Sequence, residues 1–518
     1  MSMPSAPLTR RHAVLSPPTL AGGLAALCLT LASSAGEAAP ARRSDPESTI
    51  RALLERLDAQ EQRIQALEHR LAEKDAVSAP AVAQATPDAA EEQDARLRVV
   101  ERKLELQQEA AAALAAEAPV IRAGTKGFSI ASKDGANVLR LRGVLNVDGR
   151  WFLNDDVATG SDTWLLRLAR PYIEGTLGRI VDFRLMPDFA GGKTVIQDAF
   201  VAARFDPRFV LTAGKFKVPF GLERLQSDTD TRFVERGLTN NLVPNRDLGL
   251  QVSGDVGGGA LAYQVAWQNG VVDSGSSDGQ GDVDNDGSRD VAVRLFAQPL
   301  AGHPESWFQG LGVGIAATRG TTDGSPTRTT LPTYRSPGQQ SIFAYRGGTN
   351  PTFALGERTR VSPQAYFYRG PFGLLAEYVQ VRQDVARTVG TVQRADRLTH
   401  DAWQVEATWF VTGEESGFRA ASPRRAFGSG GYGAVELVAR VGELKLDPDA
   451  FVGGAGSFAD PASAVRRARA FGIGANWYLT PNLKAVLDYE QTAFDGGAAG
   501  GVDRKDERIV FGRFQTAF

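Results

Sequence analysis

The feature that most constrains this chain is a switch of period. From Val120 onward apolar and polar residues alternate: Leu139, Leu141, Leu145, Val147 and Trp151 fall on one parity, Arg140, Arg142, Asn146, Asp148 and Arg150 on the other. Successive side chains of a strand point to opposite faces, so the stretch folds into a ribbon with one apolar and one charged face. In a soluble sandwich the apolar face meets a core. In a membrane barrel it meets lipid, and the charged face lines a wet lumen. One strand does not separate these; the whole run does. Strands are expected near 138–152, 163–178, 180–190, 195–205, 207–216, 247–256, 261–270 and 289–299. Eight more are expected near 308–318, 361–369, 372–382, 399–411, 432–444, 467–479, 483–493 and 506–518. An even count returns both ends to one side, where Asp206-Pro207, Gly257-Gly258-Gly259, Gly370-Pro371 and Thr480-Pro481-Asn482 read as tight turns. Opposite them run long connections, including 271–288 and 319–360. The expected fold class is all-β, a 16-stranded antiparallel transmembrane β-barrel preceded by a helical coiled-coil segment. One connection, 412–431, is long yet falls on the short-turn side.

The residues ahead of the alternating region read differently. Arg10, Arg11 and His12 precede an apolar run from Leu20 to Leu31 and small residues from Ala32 to Ala39, the layout of a secretory signal over residues 1–39. Cys28 is the only cysteine and leaves with that segment, which excludes a disulfide framework or a cysteine site in the mature chain. No later run reaches about 18 apolar residues, so a membrane-spanning mature chain must be a barrel. Residues 40–119 form the second expected region, a periplasmic coiled-coil and linker segment. Ile50, Leu57, Ile64 and Leu71 recur every seventh position, with Leu53, Gln60 and Leu67 at the second seam position. After an Ala/Pro linker, Leu97, Val100, Leu104, Ala111 and Leu114 repeat the arrangement, with Gln107 breaking the seam. The readings are a trimerisation stalk, a tether to the cell wall, or one amphipathic helix on its own barrel. Residues 120–518 are the barrel domain, ending on Phe518 after the alternating Val510, Gly512 and Phe514.

Charge narrows the function. Lys+Arg 58 against Asp+Glu 60 leaves no global basic field for a nucleic acid, so a charge-based function must be local. An enzyme is not expected: a barrel hydrolase needs a histidine base beside a nucleophile, and the mature chain offers only His69, His303 and His400. No cofactor is expected either. Asp282, Asp284 and Asp286, followed by Gly287 and Asp290, resemble a calcium loop, but Val293 stands where the distal Glu belongs, and a solvated acidic loop is the simpler alternative.

The connection from Val218 to Leu248 is the third on the long-loop side and carries Glu223, Arg224, Arg232, Glu235, Arg236 and Arg246. Folded into the lumen, its guanidinium groups would favour anions, against partial cancellation by its carboxylates. The alternative is a solvated loop of mixed charge.

The stretches RLARPYIEGTL, LMPDFAG, QDAFV, GKFKVPFGLE and RFVERGLTNNLVPNRDLGLQVSG, with VTGEESGF downstream, resemble the phosphate-selective porin O and P family of Gram-negative bacteria. The resemblance covers about 120–518 and is densest from Arg167 to Gly254. It implies a 16-stranded trimeric outer-membrane channel whose arginine ladder and lysine-containing narrow zone pass phosphate or polyphosphate. Where the family pattern has two adjacent arginines, this chain has Arg167 followed by Leu168, so one ladder position is apolar. Lys215 and Lys217 match the motif and share a strand face, and Arg140, Arg142 and Arg150 qualify by parity. Arg167 and Arg170 have opposite parities and face one lumen only if a bulge lies between them. For each cation the alternative is neutralisation by a carboxylate such as Asp148, Asp198 or Glu436. The expected function is passive uptake of small anions through an Arg/Lys-lined lumen, in a homotrimer embedded in outer-membrane lipid with its N-terminal segment in the periplasm. The alternatives are a general diffusion porin and a structural anchor between outer membrane and cell wall.

Overall fold

A computed structural model describes residues 87–125, 127–153, 161–284 and 286–518. The expected signal peptide and the first heptad stretch lie outside the described residues. The chain divides into two compact units, 1–106 and 107–518. The second heptad stretch falls in one helix, α1 (Pro87–Glu117), whose seam residues Leu97, Val100 and Leu104 are exposed.

Alternation becomes a closed wall in the second unit. A short hairpin, β1 (Val120–Gly124) and β2 (Gly127–Ala131), precedes β3 (Val138–Phe152), β4 (Thr163–Leu177), β5 (Val181–Asp188), β6 (Val195–Asp206), β7 (Phe209–Lys217) and β8 (Arg246–Val256). Next come β9 (Leu261–Gln268), β10 (Asp290–Ala297), β11 (Leu311–Asp323), the small hairpin β12 (Thr333–Arg335) and β13 (Ser341–Ala344), and β14 (Thr352–Arg369). The wall is completed by β15 (Phe372–Val389), β16 (Val392–Phe410), β17 (Ala434–Lys445), β18 (Val465–Thr480), β19 (Leu483–Gly496) and β20 (Glu507–Ala517). Leaving out the two hairpins, each strand pairs antiparallel with the next, and β20 returns to β3 from Ile509↔Phe152 to Ala517↔Val144. Sixteen strands therefore close on themselves and leave no unpaired edge. The lower end of β3, beyond the reach of β20, is paired instead by β2, from Phe128↔Leu141 to Ala131↔Val138.

The two faces separate as the alternation requires. Leu139, Leu141 and Leu145 are exposed on the outside, while Asn146 and Asp148, farther along on the opposite parity, are wholly buried. At the seam the backbone of Phe518 exchanges two 3.1 Å hydrogen bonds with Gly143. A Cβ at residue 143 would stand 2.6 Å from the Phe518 ring, so the terminal aromatic lies flat only because position 143 has no side chain.

Two connections depart from expectation. The span 319–360 is not one loop: β11 continues to Asp323, β14 begins at Thr352, and β12 pairs with β13 between them. Similarly, β15 and β16 stay paired up to Val389↔Val392, across a stretch whose polar sequence reads as a loop. Backbone pairing needs no apolar face once a strand has left the membrane, so composition loses its signal there.

The interior is filled by chain. The third loop (218–245) and the fifth (324–351) turn inward and bury Phe220, Leu242, Val243, Tyr334, Ile342 and Phe343 against Val379 and Leu398 of β15 and β16. Each such side chain contributes about 1.5–3 kcal/mol. From the other end the long turn 411–433 also enters: Phe418 stacks on Tyr366 at 5.6 Å, and Ala420 and Ala421 pack on Phe410 and Tyr478. Its apolar residues explain why a connection on the short-turn side is long.

Candidate functional site

The third loop divides the lumen unequally, because it packs on one wall. Its single-turn helix α2 (Leu222–Leu225) places the backbone N–H groups of Leu222 and Glu223 on the Glu377 carboxylate of β15. Farther on, Val234 N donates to Asp488 of β19 at 2.6 Å, and Arg440 of β17 reaches Glu490 at 2.9 Å, Glu223 at 3.3 Å and the Phe233 ring at 4.2 Å. Glu223, Glu377, Glu406, Glu436, Asp488 and Glu490 are thereby covered. Beside this packed wall an opening runs along β3 to β8.

Two cavities make up this opening. The larger, about 940 Å³, extends from the long-loop end, where Lys193, Ser276 and Arg328 border it, down to Arg150, Arg167 and Arg170. Among the described residues it is lined by ten Arg and Lys side chains against four carboxylates, Asp188, Asp228, Glu235 and Asp278. The smaller, about 250 Å³, lies against Val144, Tyr172, Arg184 and Phe200. Arg170, Lys217, Asp228 and Arg246 line both and form the neck between them.

A bulge aims the arginines. Asn146 pairs with Leu168 and Val147 with Leu166, so Arg167 is the unpaired extra residue of β4. The slip of one residue brings Arg167 and Arg170 to the same side despite their opposite parities, and both line the larger cavity.

Several of these cations share a counterion, and others have a carboxylate or carbonyl acceptor of their own. Arg150 and Arg167 converge on Glu235 of the third loop at 2.7 and 2.9 Å. Burial opposes the charge of Glu235, but Arg167, with Arg150 behind it, outweighs burial and holds the carboxyl at about 2. Arg170 reaches Asp188 at 2.7 Å and also Asp228, and Arg236 reaches Asp228 at 2.7 Å. Arg246 pairs with Asp198 at 2.8 Å. Lys217 donates to the carbonyls of Arg224 and Gln226 at 2.8 and 2.6 Å.

The expected site residues are thus only partly gathered. Arg150, Arg167, Arg170, Lys217, Arg224, Arg236 and Arg246 line the larger cavity. Arg142 pairs with Glu174 at 2.7 Å, lower on the wall, and Arg140 stands farther down the same strand; neither borders the cavities. Arg232 turns to the opposite wall and is buried on Glu436 at 3.3 Å. Lys215 does not share the surroundings of Lys217. Its Nζ lies 2.7 Å from Asp282 and 3.3 Å from Asp278 in the connection 269–289. The would-be calcium carboxylates do not converge: Asp282 serves Lys215 and Ser277, Asp284 pairs with Arg289, and Asp286 accepts from Ser288 N and Asp323 N. Among the described residues no group of three or more His, Cys, Asp or Glu is placed to hold a metal ion. His400 is buried, with Nε2 at 2.9 Å from the Tyr345 hydroxyl and Nδ1 accepting from Asp447 N, and His303 is exposed beside Glu305.

Lys193, Arg184, Arg328 and Asp228 also line the opening and were not anticipated. Parity within β5 would have singled out Arg184. Lys193 and Arg328 lie in loops, where no local period says which way a side chain turns.

Three comparisons with known proteins bear on this chain. A family model described as phosphate-selective porin O and P matches residues 145–518, well over half of the chain. An uncharacterized protein of Caulobacter vibrioides is 26% identical over 288 residues, 54% of this chain and 55% of that protein. The chain thus spans about half the length of the curated relative it matches. Among solved structures, the outer membrane channel DcaP of Acinetobacter baumannii aligns with a TM-score of 0.48 at 12% identity, over 76% of this chain and 99% of that one. The anion-selective porin from Comamonas acidovorans aligns with a TM-score of 0.45 at 11% identity, over 74% and 100%.

Proposed function

We propose that this chain, which belongs to the phosphate-selective porin O and P family, passes small anions, inorganic phosphate among them, along the basic opening beside its third loop. An outer-membrane channel is the coarse function of the family. The observation that supports the finer reading is the excess of cations around the neck, ten against four carboxylates in the larger cavity among the described residues. An anion entering from the loop end meets Lys193 and Arg328, then Arg167 and Arg150, then Arg170, Lys217 and Arg246. Spaced sites of this kind replace hydration step by step and let each ion be released to the next, which one deep site does not. Guanidinium groups stay protonated and fork onto phosphate oxygens, so the same series favours phosphate over monatomic anions. No chemical step is required, and the concentration gradient drives uptake. A homotrimer, with α1 acting as a periplasmic stalk, completes the reading.

Single-channel recording in a planar bilayer tests it. The reversal potential in a salt gradient should show anion selectivity, and phosphate added to chloride should reduce the current. Cation selectivity would refute the basic passage, an anion-selective channel indifferent to phosphate would leave a general diffusion porin, and silence would favour the cell-wall anchor.

A further inference from the structure

The neck holds a negative charge of its own. Of the four residues lining both cavities, Asp228 alone is acidic among the described residues, and its carboxylate bridges Arg170 of β4 and Arg236 of the third loop. The other counter-charges of the neck are fixed in the wall or in backbone: Asp188 and Asp198 sit in β5 and β6, and Lys217 is held by two carbonyls. Asp228 instead sits in a turn closed by Asp230 N donating to Ser227 O at 2.9 Å, its side chain 18% exposed and opening onto the passage. Two carboxylate oxygens spanning two guanidinium groups is also the arrangement in which two phosphate oxygens would bind.

From this geometry we infer that Asp228 is a tethered occupant of the anion passage, a built-in counterion that a permeating anion must displace from Arg170 and Arg236. The inference rests on the anion reading given above and adds a specificity determinant to it. Burial works against the charge of Asp228, yet Arg236 and Arg170, with Lys217 and Arg246 near, overcome it and hold the carboxyl well below the usual carboxylate range. The tethered group is therefore charged at any physiological pH. A chloride ion offers one atom and one charge against a carboxylate that already bridges both arginines. A phosphate dianion offers several oxygens and twice the charge, and displaces it more readily. Asp228 thus lowers the affinity of the neck for all anions while discriminating against those that cannot bridge. It also gives each leaving anion a replacement, since the carboxylate can return as the ion moves on.

The test is Asp228→Asn in the full chain, recorded in planar bilayers beside the wild type, with inorganic phosphate titrated against chloride current. With the occupant neutralised, the phosphate concentration that halves the current should fall about tenfold, the scale of one charge-assisted hydrogen bond. Anion-over-cation selectivity should rise as well. A fall of less than about threefold, or a rise, overturns the inference. Asp228→Ser gives the same readout should the Asn variant not assemble, and Asp228→Glu, which keeps the charge, should not tighten phosphate block; tighter block in the Glu variant would also overturn it. A wild-type channel that selects cations would sink the anion reading and this inference together. A wild type that selects anions and is blocked by phosphate, beside an unchanged Asn variant, would sink only the inference.

Discussion

Arg513 of the last strand and Asp148 of the first barrel strand face each other directly across the seam, with Nε and Nη2 each 2.7 Å from a carboxylate oxygen. Both side chains are buried, so this forked pair joins residues 365 positions apart where the barrel closes. Replacing one member leaves the other charged and unpaired, which costs about 3–5 kcal/mol. Asp148→Leu should therefore lower the temperature at which the folded band is lost in heat-modifiability gels, and Asp148→Leu with Arg513→Leu should recover most of the loss. An unshifted transition in the single variant would show that the pair does not hold the seam.

The bulge at Arg167 makes a prediction about deletion. Removing Arg167 leaves Leu166 paired outward and Leu168 inward, as they already are, and the strand becomes regular. Removing Ile173, where β3, β4 and β5 run in register, instead turns every residue on one side of the cut to the wrong face. The Arg167 deletion should yield a heat-modifiable barrel and the Ile173 deletion should not. Equal yields would disprove the assignment of the bulge.

Glu235 predicts an acid transition with a defined sign. Its carboxyl is held at about 2, below the ordinary 4.5. A depressed carboxylate stabilises the fold fully above its unfolded value, and the contribution disappears as pH falls through the folded one. Anchoring of the third loop by Arg150 and Arg167 should thus be intact down to about pH 4.5 and fade toward about pH 2, with about 3 kcal/mol at stake. Open-channel noise should rise over that window in the wild type. Glu235→Gln should be noisy already at neutral pH and should lack the acid step.

Arg232 ties three segments together: it pairs with Glu436 of β17 at 3.3 Å, donates to Asp230 O at 2.9 Å, and also donates to Gly417 O in the long turn. Arg232→Met should loosen the long turn and leave Glu436 with Thr408, Asn476 and Tyr478 as its hydrogen-bond partners among the described residues, at a cost of about 3 kcal/mol. Larger and noisier unitary currents are expected, with partial recovery on adding Glu436→Gln. A quiet channel of unchanged conductance would mean that the turn is held without Arg232, by the packing of Phe418, Ala420 and Ala421 and the hydrogen bond from Ala420 N to Asp230.

The sixteen wall strands were legible from alternation alone, because a period of two is local and each barrel strand shows its two faces within ten residues. The tight turns at Gly370-Pro371 and Thr480-Pro481-Asn482 were legible from their Gly, Pro and Asn residues, which are equally local, and the even strand count gave the side to which the chain returns. Family membership followed from motifs that are contiguous in sequence. Tertiary structure alone decided which cations border the opening. Lys215 and Lys217 share a parity, yet one meets Asp282 and the other lines the neck, because the loop that covers Lys215 lies 63 and 67 residues away. Arg167 faces its lumen neighbours through a bulge that no single strand announces. Arg232 and Arg236 are four residues apart on one loop, and only the acidic wall under that loop sends the first to Glu436 and leaves the second to Asp228. Strand period is set by the backbone of each segment, whereas ion pairing is set by whatever the closed barrel brings opposite, and that is fixed only when the last strand meets the first.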